Sequence, residues 1–292
     1  MKTGELPETL RALYPFASHR CTQPGGRQHY LDEGSGEAVI MVHGNPTWSF
    51  YYREVIKYLQ PRGYRCLVPD HLGCGLSDKP QNWPYRLADH IENLERWVDE
   101  LGLERFHLIV HDWGGAIGMG LATRQPQRVG KIVVLNTAAF RGPNIPWRIA
   151  LCRFPYLGGW LVRRLNAFAG PATFMTTTKP LSPEVKNGYL WPYRNGRDRI
   201  AIARFVQDIP MERDHPSAAT LDTIDQGLSQ LKTCPMLIAW GGRDWCFHDW
   251  YFKEWQKRFP RAQTLHYPDA GHYVLEDARS ELLPELLNFL TR

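Results

Sequence analysis

Short apolar runs rich in β-branched residues recur along the chain, separated by stretches where apolar positions return every three or four residues. The runs AVIMVHG (38–44), YRCLVPD (64–70), FHLIVHD (106–112), KIVVLN (131–136), CPMLIAWGG (234–242) and AQTLHYPD (262–269) read as strands. Between them FYYREVIKYLQ, LADHIENLERWVDELG and GGAIGMGLATRQ have helical periodicity, as do HDWYFKEWQKRF and ARSELLPELLNFL near the end. Strands alternating with helices predict an α/β domain whose mostly parallel central sheet is flanked by crossover helices. The alternation breaks between about Ala138 and Gln230, where the chain turns rich in proline and arginine and keeps helical spacing only in stretches such as WLVRRLNAF and RIAIARFV. Because strands resume afterwards, the expected organisation is one core in two parts, 1–137 and 231–292, with a helical cap inserted over 138–230. A cap set over strand ends encloses a pocket.

Composition narrows this picture only a little. With 292 residues at 43% hydrophobic, the chain is long enough for such a core plus its insertion. The start, MKTGELPETLRALYPF, lacks the apolar stretch of a secretory leader, and no later run approaches the roughly 20 residues of a membrane span, so a soluble cytoplasmic protein is expected. Six cysteines without a CxxC pair read as reduced thiols, and nothing resembles HExxH, so neither a metal nor another cofactor is expected. The net charge is +5, with arginines concentrated from Arg141 to Arg204. That density reads as a solvated helical face rather than a nucleic-acid surface, and leaves an acidic partner or a membrane surface open.

The chemistry gathers around HDWGG, where an apolar strand stops at Asp112 and a glycine-rich helix begins. Val110, Asp112 and Gly114 occupy the small-x-nucleophile-x-Gly places of a nucleophile elbow, a tight turn that presents one side chain at the top of a sheet. A helix-capping aspartate would look similar in isolation. Three further features weigh against that reading. HGNP (His43–Pro46) follows an earlier strand and offers a backbone amide for an oxyanion, PDHLGCGLSDKP follows the next, and GGRD with Asp244 precedes DAGHYVLED with His272. Nucleophile, acid and histidine thus stand in elbow order. Asp112 would form an ester with a substrate carbon, while His272, oriented by Asp244, would move protons. His111 and His248 read as packing or supporting groups.

These motifs resemble the α/β-hydrolase fold, and within it the haloalkane dehalogenase branch with an aspartate nucleophile. The resemblance implies that the side chains of Asn45 and Trp113 donate N–H groups to a departing anion. Epoxide hydrolases share HDWGG but usually carry an aromatic residue after HG and use two cap tyrosines, for which Tyr156, Tyr189 and Tyr193 are available. Fluoroacetate dehalogenases typically place arginine where this chain has Trp113. One dehalogenase subfamily carries its acid after the strand that follows the elbow, a place taken here by Asn136, so the acid would be Asp244. In the cap, LNTAAFRGPNIPWRIALCR, LVRRLNAFA and RIAIARFVQDIP look like the β-lactone decarboxylases of bacterial long-chain olefin biosynthesis, which group with the third dehalogenase subfamily; GGRDWCF fits the same group.

That resemblance implies conversion of cis-3,4-dialkyl-β-lactones to cis-olefins and carbon dioxide, with an alkyl-chain substrate and contact with other olefin-pathway enzymes as expected partners. The alternative is hydrolysis of haloalkanes to alcohol and halide. A silent ligand-binding module would be expected to have lost Asp112, His272 or Asp244, and all three are present.

Overall fold

The computed structural model describes residues 6–292. Eight strands form one sheet: β1 (His19–Gln23), β2 (Gly26–Glu33), β3 (Glu37–Val42), β4 (Tyr64–Pro69), β5 (Phe106–Asp112), β6 (Val129–Thr137), β7 (Met236–Gly241) and β8 (Gln263–Tyr267). Their spatial order is β1-β2-β4-β3-β5-β6-β7-β8, with the pairs β1–β2 and β2–β4 antiparallel and every pair from β4 to β8 parallel. The six strands read from hydropathy are all present. The β1–β2 hairpin is an addition, hidden in sequence because polar residues such as Arg20, Thr22 and Arg27 interrupt it at a sheet edge.

The strands from β3 to β7 are buried on both faces because alternate residues feed two separate cores. Val39, Met41, Ile109, Val133 and Leu237 point into one, which also takes Trp48, Tyr51 and the C-terminal helix Arg279–Thr291. Ile40, Val42, Leu108, Val110, Ile132 and Ile238 point into the other, beneath the helices Leu87–Glu100 and Trp113–Arg124. Both layers leave the C-terminal strand ends to be covered by the segment after β6.

That segment folds into the helices Trp147–Arg153, Leu157–Leu165, Ala169–Met175, Pro183–Leu190 and Ile200–Gln207, of which the first, second and fifth pack on one another. The next helix, Ala218–Gly227, packs instead on Trp113–Arg124 beside the sheet. Polar ties fasten the cap down. The Trp48 indole donates to the Gly188 carbonyl at 3.1 Å and the Tyr193 hydroxyl to the Thr47 carbonyl at 3.2 Å. Most deeply, the Arg53 guanidinium pairs with both carboxylate oxygens of Glu276 at 2.6 and 2.9 Å, and the hydroxyl of Tyr189 from the cap donates to the same carboxylate.

A buried pair of this kind costs more to break than its formation contributes, because the survivor is left charged and dry. Glu276→Ala is therefore expected to lower the unfolding free energy by about 3 to 5 kcal/mol, measured by urea denaturation. Glu276→Gln, which keeps an acceptor for Arg53, should cost less.

Candidate active site

The five residues read from the sequence as catalytic or anion-holding lie at the C-terminal ends of parallel strands. Asn45 follows β3, Asp112 ends β5, Trp113 opens the next helix, Asp244 follows β7 and His272 follows β8. Asp112 sits at φ 50°, ψ −128°, a conformation an L-residue adopts only when its surroundings enforce it. The enforcement comes from close backbone approach. A Cβ on Gly114 would run into the Val42 carbonyl, and one on Gly44 into the Asp112 carboxylate itself. The Thr137 hydroxyl donates to the Asp112 carbonyl and locks the turn from the β6 side.

The carboxylate oxygens of Asp112 have different surroundings. Oδ1 accepts the Asn45 backbone N–H at 2.6 Å, while Oδ2 stands 3.6 Å from His272 Nε2. The Asn45 amide, expected from HGNP to serve an incoming oxyanion, thus holds an oxygen of Asp112. Burial raises the Asp112 carboxyl above the usual aspartate value, although the nearby His272 and the backbone N–H groups of Asn45 and Trp113 pull the other way.

His272 Nδ1 lies 2.7 Å from Asp244 Oδ2. Asp244 Oδ1 accepts the backbone N–H groups of Cys246 and Phe247 at 2.7 and 3.0 Å, so the acid is gripped from both sides. Burial by itself would drive the proton off His272, but attraction and hydrogen bonding from Asp244, with Asp112 adding to them, raise its pKa above 6.5. His111 supports the imidazole from behind. Burial and the neighbouring His272 hold His111 neutral, and its Nε2–H donates to the His272 carbonyl at 2.9 Å.

Sequence reasoning named Asn136 only as the vacant place of an alternative acid. In the structure it positions the acid actually present: its Nδ2 donates to Asp244 Oδ2 at 3.0 Å and to the Gly241 carbonyl at 3.1 Å, and its Oδ1 accepts the Gly241 N–H at 2.8 Å. Its backbone, at φ 30°, is the signal that a polar side chain is being held to a task.

Asn45, Asp112, Trp113 and His272 open onto one cavity of about 500 Å³, otherwise lined mainly by apolar side chains including Phe140, Ile149, Phe168, Val206 and Phe247. Asn45 Nδ2 donates at 3.3 Å to the Ile202 carbonyl in the cap, which leaves its second N–H without an acceptor among the described residues. The Trp113 indole N–H likewise has no protein acceptor among them. The arrangement presents a carboxylate, two uncommitted donors and a histidine–acid pair to an apolar chamber.

A family model described as the alpha/beta hydrolase fold matches residues 37–278. The chain belongs to the α/β-hydrolase-fold family. Within that family it is 41% identical over 289 residues to a cis-3-alkyl-4-alkyloxetan-2-one decarboxylase of Shewanella oneidensis, covering 97% of this chain and 91% of the relative. It is 32% identical over 278 residues to haloalkane dehalogenase 2 of Mycobacterium bovis, covering 94% of this chain and 95% of that one. The crystal structure of the haloalkane dehalogenase DatA from Agrobacterium tumefaciens superposes with a TM-score of 0.84 at 27% identity, covering 94% of this chain and 96% of that chain.

Because Asp244 raises His272, the stabilisation from this pair is complete below pH 6.5 and is lost as pH rises through the raised folded value. Asp244→Asn should lower the His272 titration midpoint in NMR and flatten this loss of stability toward alkaline pH. Asn136→Ala, which strands the buried Gly241 N–H, should cost about 1 to 3 kcal/mol in urea denaturation.

Proposed function

We propose that this α/β-hydrolase-fold protein is a β-lactone decarboxylase that converts cis-3,4-dialkyl-oxetan-2-ones to cis-alkenes and carbon dioxide. The observation that carries the reading is a desolvated carboxylate, flanked by two uncommitted N–H donors, at the floor of a large apolar cavity, in a chain 41% identical to a protein named for that reaction. The identity to a haloalkane dehalogenase is lower, 32%.

In this mechanism Asp112 Oδ2 attacks the ring carbon that bears the ring oxygen, forming an ester bond as the carbon–oxygen bond of the ring breaks. The freed substrate carboxylate takes the N–H groups of Asn45 and Trp113, which act more strongly in a dry cavity than in water. Carbon dioxide then leaves; the electron pair of its bond becomes the new π bond, and Asp112 departs as the carboxylate it began as. Inversion on attack followed by anti elimination is a net syn removal, so a cis ring yields a cis alkene. No water is consumed. Attack on the lactone carbonyl, giving a mixed anhydride, is the competing route and would involve His272 more directly.

A haloalkane would use the same groups differently. Asp112 would displace halide, and His272 would activate water to hydrolyse the ester. We assign the cap to 138–217 and the core to the described residues on either side, so that the helix Ala218–Gly227, packed on Trp113–Arg124, leaves the cap expected over 138–230 and goes with the core.

Purified protein given a long-chain cis-β-lactone should release alkene by gas chromatography, and Asp112→Ala should abolish it. Bromide released from 1-bromobutane without any alkene from the lactone would establish a dehalogenase instead. Under direct displacement His272→Ala retains some alkene formation, whereas complete loss with a trapped acyl intermediate indicates the carbonyl route. Since Asp112 must be ionised, turnover should fall on acidification with a midpoint above the ordinary 3.8 of an aspartate.

A further inference from the structure

The nine large apolar side chains left exposed in the described structure all lie between Trp147 and Met211. Six of them border one of two openings in the cap, and Phe154, Leu157 and Leu165 lie in the same stretch of chain. Trp147, Leu151, Phe174 and Met211 are exposed and also line the cavity that reaches Asp112, so they form its mouth. Tyr156 and Trp160, 94% and 52% exposed, border a groove of about 620 Å³ lined by Arg163, Arg164, Arg197 and Arg204, with no carboxylate in its walls. Along the chain Phe154 stands between Leu151 of the first opening and Tyr156 of the second, and Leu157 lies beside Tyr156. The side chains of Arg164 and Arg197 have no ion-pair partner among the described residues.

We propose that this face of the cap is a docking surface for an anionic phospholipid bilayer, with the cavity mouth turned toward the lipid. Large exposed apolar side chains gathered in one segment, rather than scattered singly, mark interaction sites. Tryptophan, tyrosine and phenylalanine flanked by arginine is the composition that settles at the boundary between headgroups and acyl chains. No helix among the described residues is long and apolar enough to cross a membrane, so the contact is peripheral. A second copy is a poor occupant, because a two-fold contact would set the unpaired arginines of one groove against those of its mate. The proposal rests on the decarboxylase reading only for its purpose. A water-insoluble dialkyl lactone, or the alkene made from it, would pass between bilayer and cavity without crossing water.

The test is co-sedimentation of the full chain with phosphatidylcholine vesicles, with and without phosphatidylglycerol, at low and high salt. The protein is expected to sediment with the anionic vesicles and to be released by salt. Each basic side chain at such a surface is worth about a fivefold gain in partitioning, so the double variant Arg164→Glu, Arg197→Glu should bind at least about tenfold more weakly. Phe154→Ser with Trp160→Ser should also lose binding, while both variants keep the parent melting temperature and activity on a short-chain, water-soluble lactone. Protein that stays in the supernatant at low salt, or variants that sediment as the parent does, would overturn the proposal. So would a dimer that the same substitutions dissolve in analytical ultracentrifugation, or an acidic protein partner held in place of vesicles. Sedimentation needs no substrate. A chain that binds vesicles but makes no alkene refutes the function alone, and one that makes alkene but ignores vesicles refutes the docking alone.

Discussion

A carboxylate stripped of water at the end of a central strand is the constraint on which the rest of the site depends. Asp112 is held at a positive φ by backbone packed so closely that side chains on Gly44 or Gly114 would collide with their neighbours. Such strain persists only where a rigid frame absorbs it. Here the frame is the pair of parallel contacts β3–β5 and β5–β6, buried on both faces. The cost is repaid in placement: Oδ1 is pinned by the Asn45 amide, and Oδ2 stays beside His272 at the cavity floor.

Burial also sets the electrostatics, in opposite senses for two neighbours. Asp112 is pushed up by desolvation, whereas His272 is carried above its ordinary value because two carboxylates outweigh the same desolvation. Around this pair the supports beyond Asp244 are uncharged: a neutral imidazole, a hydroxyl and amides. His111 holds the His272 backbone, and Asn136 and two backbone N–H groups hold Asp244. As an amide, Asn136 donates to Asp244 and accepts from the Gly241 N–H, both of which a carboxylate could not do.

The cap decides how that chemistry is used. Its inner side makes the chamber apolar, and its attachment through Arg53, Glu276 and Tyr189 is polar and deep. Its outer side is unlike the rest of the surface, with aromatic side chains beside unpaired arginines. One insertion therefore defines both the space around Asp112 and the environment from which that space opens.

Much of this was legible in the residues alone. The six core strands, the interruption after Ala138, and the order Asp112, Asp244, His272 follow from local patterns, because periodicity and tight-turn chemistry act over a few neighbours. The β1–β2 hairpin was not legible, since an edge strand needs no continuous apolar run. Nor was the grip of Asn136 on Asp244, which joins positions 108 residues apart, or the capture of Asp112 by the Asn45 amide across 67. Likewise the spacing of WLVRRLNAF predicts a helix but not which residues stay uncovered. The sequence by itself determined which chemical groups exist and the strand ends that carry them; only the tertiary structure decided which oxygen is held, which stays free and which face meets solvent, because those depend on contacts between segments that no local pattern encodes.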